Sequence, residues 1–154
     1  MDRAAMIDKL NEILKWEYAG LIQYTQYSFL VRGTWRQVFA EMFRESGEEA
    51  LEHAHKVGDK IAALGGVTTV ERGEVKVTTD LDEMLRYSLE MERRHVELYT
   101  EAVQMCEDRD VGLRNLLEDI CQMEQDGADH LAKILEQPEL SLGMNAPRSQ
   151  QKTG

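Results

Sequence analysis

The fold is decided by the sixteen residues GGVTTVERGEVKVTTD, at positions 65–80, which connect two pairs of long helical patterns. This segment combines β-branched residues with glycines and has no helical period, so it predicts an extended connection and not a fifth helix. Neighbouring helices of an up-and-down bundle need only a short turn between them. The sequence therefore predicts an all-α four-helix bundle in which one long crossover joins two antiparallel hairpins.

The helices themselves are predicted from apolar side chains that recur at spacings of three and four residues. These patterns cover residues 3–32, 35–64, 80–107 and 111–137. The predicted bundle domain spans residues 1–138, and a polar flexible tail is predicted for residues 139–154.

Residues that begin or stop helices set these limits. Thr34 is the predicted N-cap of the second helix, and Thr79 with Asp82 resembles a capping box before the third. The predicted stops are Gly33, Gly65 and Pro138.

The composition is acidic, with 18 Lys+Arg against 29 Asp+Glu and a net charge of −11. No basic stripe is present to neutralise phosphates, so a nucleic-acid partner is not expected. No apolar run reaches the roughly 20 residues of a membrane span, and the first residues lack the apolar core of a secretory signal. We expect a cytoplasmic protein whose two cysteines, Cys106 and Cys121, are reduced.

Polar side chains interrupt the apolar stripes at one level of each predicted helix. They are Glu17, Glu49, His53, Glu92 and Glu124. Burying several like charges without compensation costs several kcal/mol each. Two divalent cations would balance four carboxylates, and carboxylate with imidazole suits iron, manganese and zinc. The alternative is an ordinary solvated face, as expected for most other acidic residues of the chain.

An internal repeat supports a site with approximate twofold symmetry. A shift of 75 residues places Glu17 on Glu92, Tyr24 on Tyr99 and Glu49 on Glu124. Each tyrosine follows its glutamate by two helical turns, so both are expected to face the same cavity. Tyr24 is the candidate catalytic residue, which would hydrogen-bond a ligand carboxylate or be oxidised; simple packing is the alternative.

Four segments together resemble the bacterioferritin branch of the ferritin-like di-iron superfamily. They are LNEILKWEYAGLIQY (10–24), LEHAHKVGDKIAALGG (51–66), LEMERRHVELYTEA (89–102) and LRNLLEDICQMEQDGADHL (113–131). The resemblance implies a ferroxidase that oxidises Fe(II) with oxygen or peroxide for iron storage or detoxification. It implies two irons per chain, with Glu17 and His53 on one metal and Glu92 on the other. Glu49 and Glu124 would bridge or cap them.

This sequence departs from the family pattern at the second metal position. The family pairs a glutamate with a histidine three residues later. Here Ala50 precedes His53 by three residues, and Gly127 follows Glu124 by three. An asymmetric site, a single-metal site or an inactive relic are therefore alternatives. Leu51 occupies the position of the family's haem-binding methionine, so haem is not expected at the usual place.

The resemblance also implies a homo-oligomer. The segment ELSLGMNAPRSQQKTG, with Gly143 and Pro147, is a poor candidate for the extra helix of the family's large cages. We therefore expect dimers or a dodecameric cage, with Trp16 and Trp35 as candidate anchors of the dimer surface.

Two other functions stay open at this stage. A rubrerythrin-like peroxidase is disfavoured because the chain lacks the paired Cys-x-x-Cys motifs of the usual electron-transfer module. A non-enzymatic shell or metal-carrying protein with a decayed site is supported by Gly127.

Overall fold

A computed structural model of the chain describes residues 1–136. Its four helices are α1 (Arg3–Leu30), α2 (Arg36–Ala63), α3 (Leu81–Met105) and α4 (Val111–Ile134). The described part of the chain contains no strand, which confirms the predicted all-α bundle. None of these helices is both long and apolar enough to cross a membrane.

Two apolar clusters define how the helices run against each other. One cluster joins the beginnings of α1 and α4 to the ends of α2 and α3, through residues that include Met6, Leu117, Ile61 and Ala102. The other joins the opposite ends, through Tyr27, Leu131, Phe43 and Met84. The helices of each hairpin are therefore antiparallel, as predicted. The layer between the two clusters contains buried acidic and imidazole side chains.

The predicted extended crossover is confirmed and lies along α1. Three hydrogen bonds fix it there: Thr69 N–H to Asn11 Oδ1 at 2.8 Å, Gly73 N–H to Lys15 O at 3.0 Å, and Lys76 N–H to Gln23 Oε1 at 3.0 Å. The crossover thus follows α1 over more than three helical turns and returns the chain to the other end of the bundle.

Trp16 lies beneath this crossover. A Cβ atom at Gly73 would come within 2.7 Å of the Trp16 ring, so only glycine allows the backbone to approach so closely. The Arg94 guanidinium covers the same ring at 4.5 Å from its centroid. Trp16 therefore packs within its own chain, whereas Trp35 is 63 % exposed and stays available as a contact between subunits.

The predicted helix starts are wrong at two positions. Trp35, not Thr34, is the N-cap of α2, and it makes no side-chain capping bond. At α3 the cap is Asp80, whose carboxylate accepts a hydrogen bond from the Glu83 N–H at 2.9 Å. An aspartate is among the strongest N-caps, so it replaces the predicted capping box.

The helix ends agree with the prediction to within a few residues. α1 ends at Leu30, before the predicted stop at Gly33, and the Arg36 guanidinium donates to the carbonyl of the Val31 cap at 2.6 Å. Gly65 follows α2 with φ +85°, a conformation that suits glycine. α4 ends at Ile134, three residues before the predicted end at residue 137. Pro138 and the tail lie outside the described residues.

Candidate metal centre

All four helices send a polar side chain into the layer between the apolar clusters. Glu17 comes from α1, His53 from α2, Glu92 and His95 from α3, and Glu124 from α4, and all five are buried. They form two groups with metal-ligand spacing, Glu17–His53–Glu124 and Glu92–His95–Glu124. In each group, one donor atom per residue lies within 4.8 Å of the others. Glu124 is common to both groups.

The first group is centred on the imidazole of His53. His53 Nδ1 lies 2.8 Å from Glu124 Oε1 and 3.5 Å from Glu17 Oε1. The Tyr99 hydroxyl donates a hydrogen bond to Glu17 Oε1 at 2.7 Å and fixes that carboxylate. The carboxylates therefore converge on one nitrogen from two different helices.

The second group contains an imidazole whose tautomer is fixed by the backbone. His95 Nε2 lies 2.9 Å from the carbonyl oxygen of Trp16, and a carbonyl can only accept, so Nε2 carries a hydrogen. In the neutral ring, Nδ1 then offers its lone pair to the cluster, 3.4 Å from Glu124 Oε1 and 3.9 Å from Glu17 Oε2. Hydrogen bonding of the outer nitrogen to a carbonyl is the usual orientation of a metal-ligating histidine.

Four buried polar atoms in this layer have no hydrogen-bond partner: Glu17 Oε2, His53 Nε2, Glu92 Oε2 and His95 Nδ1. Buried polar atoms are nearly always paired, so a cluster of unpaired ones needs an explanation. Coordinated cations would engage carboxylate and imidazole lone pairs, and this donor set suits iron, manganese and zinc. The residues present therefore fit a pair of metal ions.

Comparison with known proteins agrees with this geometry. A family profile described as the ferritin-like domain matches residues 7–141. The chain belongs to the ferritin-like family.

Individual relatives of this ferritin-like chain are similar over most of their length. A bacterial ferritin of Neisseria meningitidis is 29 % identical over 86 % of this chain and 85 % of its own. A nutrient stress-induced DNA-binding protein of Nostoc sp. is 26 % identical over 94 % and 84 %. A solved structure described as a ferritin-like, diiron-carboxylate protein of Bacillus anthracis has a TM-score of 0.85 at 29 % identity. It covers 88 % of this chain and 98 % of that one.

The structure brings four of the five predicted metal residues into the two ligand groups. Glu49 lies at their edge: it is half-exposed, and its Oε1 is 4.0 Å from His53 Nε2, the nitrogen that faces away from Glu17 and Glu124. Glu49 belongs to neither ligand group. Tyr24, the predicted catalytic residue, donates a hydrogen bond to Glu92 Oε1 at 2.7 Å.

His95 was not predicted from the sequence. The available signal was the spacing Glu92-x-x-His95, which is the glutamate–histidine spacing of this ferritin-like family placed on the third helix. The family's expected histidine on the fourth helix is absent at Gly127, and His130 on the same helix is exposed. The second imidazole of the centre therefore comes from α3.

Two glycines make room for this arrangement. A Cβ atom at Gly20 would lie 3.0 Å from His95 Cε1, which is tighter than ordinary packing allows. A Cβ atom at Gly127 would lie 3.3 Å from the carboxyl carbon of Glu92. Gly20 therefore leaves space for the imidazole, and Gly127 leaves space for the carboxylate.

In the metal-free centre, protons on the imidazoles compensate the negative charge of the buried carboxylates. Although burial lowers the pKa of His53, hydrogen bonds to Glu124 and Glu17 raise that pKa to about 10. Burial opposes the charge of His95 as well, but the carboxylates of Glu17 and Glu124 raise its pKa to about 9. Both imidazoles are therefore protonated at neutral pH when no metal is bound.

The three carboxyl groups titrate differently because they see different neighbours. Burial raises the pKa of Glu17 to about 7. Burial and the nearby Glu124 charge raise the pKa of Glu92 well above its ordinary value. Burial also disfavours the charge of Glu124, but His95 and hydrogen bonds from its neighbours hold its pKa well below the ordinary value. Glu124 is thus the anion around which the centre is organised.

Proposed function

We propose that this chain binds two iron ions in the bundle core and oxidises Fe(II) to Fe(III), in iron storage or detoxification. The observation that supports the proposal is the pair of ligand groups that share Glu124, in which Glu17 Oε2, Glu92 Oε2 and His95 Nδ1 are buried without a hydrogen-bond partner. A cluster of such atoms is unusual in a purely structural core, because each costs about 1–3 kcal/mol.

The ligands divide between two ions in this proposal. Glu17 and His53 would hold one ion, Glu92 and His95 would hold the other, and Glu124, which belongs to both groups, would serve both. The Tyr99 and Tyr24 hydroxyls orient the Glu17 and Glu92 carboxylates through their hydrogen bonds. Glu49, half-exposed beside His53, meets an entering ion and steadies the outer nitrogen of that imidazole.

The redox chemistry belongs to the metal. When bound, two ferrous ions would supply the two electrons needed to reduce dioxygen to hydrogen peroxide, or hydrogen peroxide to water, with the uptake of two protons. The protein contributes a dry, fixed cluster of donors, in which the carboxylates offset the charge that the ions gain on oxidation.

Anaerobic metal titration followed by oxidation kinetics tests this function. The wild-type protein should bind about two ferrous ions per chain, as expected for the bridged site, and should oxidise them when oxygen is admitted. Glu17→Ala should lose an ion and most of the oxidation rate, whereas the matched control Glu12→Ala, on the exposed face of α1, should keep both. Equal oxidation rates in wild type and Glu17→Ala would remove the enzymatic function and favour a carrier or shell protein.

The proposal includes a homo-oligomer built from dimers. The outer faces of α1 and α2 expose Ile22, Trp35 and Leu51, and such apolar side chains are common at subunit contacts. Light scattering of the purified protein distinguishes a dodecameric cage from a dimer. Trp35→Ala should shift that mass downward if the exposed indole anchors the dimer.

A further inference from the structure

A small cavity of about 50 Å³ lies beside the metal centre, on the Gly127 side of Glu92. We propose that this cavity admits and holds dioxygen, the oxidant of the reaction. The inference rests on the proposed function and deepens it by assigning the part of the bundle in which dioxygen is held beside the centre.

The walls of the cavity favour a small neutral molecule. Phe43 and Leu131 are buried apolar side chains, and Met42 adds a third apolar surface. Three hydroxyl groups line the cavity, and two of them are already engaged: Ser88 donates to the Met84 carbonyl at 2.7 Å, and Tyr24 donates to Glu92. An apolar space this small, larger than the 10–15 Å³ or so that one water needs, suits a diatomic gas better than a hydrated ion.

The cavity ends at a metal ligand. The Glu92 carboxylate lines it, is buried, and has an Oε2 atom without a hydrogen-bond partner. Gly127 lies against the same carboxylate, and a side chain at that position would fill the approach. A molecule held in the cavity is therefore in contact with the second ligand group without passing through bulk water.

Cations have a different and better-suited approach to the metal centre, beside Glu49, about one turn of α2 beyond Ser46. Glu49, half-exposed and 4.0 Å from the unpaired His53 Nε2, offers a carboxylate to an entering ion. The small cavity is lined instead by the half-buried Ser46 and the exposed His130, which belong to neither ligand group. Ser46 precedes Glu49 by about one turn of α2. The approach to the cavity and the approach for cations therefore lie about one helical turn apart.

Occupancy by dioxygen can be measured without any metal. Dissolved dioxygen is paramagnetic and speeds the relaxation of methyl groups that it approaches. In the metal-free protein under oxygen pressure, the methyl groups of Leu131 should relax severalfold faster than those of Leu117, which is also buried but lies in the other apolar cluster. Equal relaxation at the two leucines would overturn the proposal, whether or not the protein oxidises iron.

A variant that fills the cavity links occupancy to the reaction. Ser46→Leu should abolish the excess relaxation at Leu131 and slow oxidation by dioxygen by about tenfold, which corresponds to about 1.4 kcal/mol of barrier. Anaerobic binding of Co(II), used as a redox-stable probe of the ligands, should stay unchanged. The matched control Glu45→Leu places the same side chain on the exposed face of α2 and should change neither quantity.

Each outcome of this pair of experiments is decisive. If Ser46→Leu abolishes the excess relaxation at Leu131 but oxidation by dioxygen keeps its wild-type rate, the cavity is not the route and the proposal is overturned. If Ser46→Leu fails to fold, the comparison of Leu131 with Leu117 in the wild-type protein still decides occupancy, and Ser46→Val supplies the kinetic arm. A wild-type protein that holds dioxygen at Leu131 but never oxidises iron would refute the proposed function separately.

Discussion

The Tyr99 hydroxyl donates a 2.7 Å hydrogen bond to Glu17 across the bundle. Tyr24 makes the corresponding bond, also 2.7 Å, to Glu92. Each tyrosine therefore orients the glutamate of the other hairpin, which is the relationship expected of a site with approximate twofold symmetry. The 75-residue repeat of the sequence has a structural counterpart in this exchange.

Removal of either hydroxyl should have similar consequences. Tyr99→Phe and Tyr24→Phe each leave a buried carboxylate oxygen without its donor, which should lower the free energy of unfolding of the metal-free protein by about 1–3 kcal/mol. Both should also weaken metal binding, because the carboxylate loses its fixed orientation. Urea unfolding and metal titration measure the two effects. Tyr27→Phe is the control, since the Tyr27 hydroxyl binds the Lys76 carbonyl away from the centre and should affect stability alone.

The histidines should divide the two ions between them. His95→Ala should leave about one ion per chain of the two expected for a bridged site, because the second group loses its only imidazole. His130→Ala, which removes an exposed histidine of α4, should leave the metal content unchanged. Metal analysis after dialysis decides the matter. Full occupancy in His95→Ala would show that α3 contributes no imidazole ligand.

The fold was predictable because periodicity and loop length are properties of long segments. The crossover excluded an up-and-down bundle, and four amphipathic patterns gave the helices to within a few residues. Polar interruptions of the stripes located Glu17, His53, Glu92 and Glu124, since a buried carboxylate conflicts with the apolar pattern around it.

His95 could not be predicted from the stripe alone. The apolar pattern of the third helix assigns the inward position to Val96, yet Val96 is half-buried and His95 is buried. Adjacent residues lie about 100° apart around a helix. The rotation of the helix about its own axis therefore decides which of the two faces the core. Gly20, on α1, provides the space that His95 occupies. The sequence of the third helix alone contains no information about that space.

Gly20 should therefore be a positioning residue for His95. Alanine in place of glycine inside a helix normally stabilises it by about 1 kcal/mol. At Gly20 the new Cβ atom would meet His95 Cε1 at 3.0 Å, so Gly20→Ala should instead lower stability and release the same ion as His95→Ala. Gly58→Ala on α2 is the matched control, because its Cβ would find only ordinary contact at 3.7 Å and should show the normal gain. Thermal unfolding and metal analysis of both variants test this; a Gly20→Ala protein with wild-type metal content would contradict it.

Metal binding should release protons, and its affinity should rise with pH. Despite burial, the neighbouring carboxylates keep the pKa of His53 at about 10 and that of His95 at about 9, so both rings carry a proton in the metal-free protein at neutral pH. A coordinating imidazole must give up that proton. Affinity should therefore increase between about pH 6 and pH 8, by about tenfold per pH unit for each proton displaced, and level off only above these pKa values. Calorimetric titration with Co(II) in buffers of different ionisation enthalpy counts the protons. His95→Ala should release fewer protons than the wild type, because it lacks the His95 proton and binds one ion fewer. A binding heat that is the same in every buffer would mean that the histidines are already neutral, and that the carboxylates do not hold the centre in its protonated form.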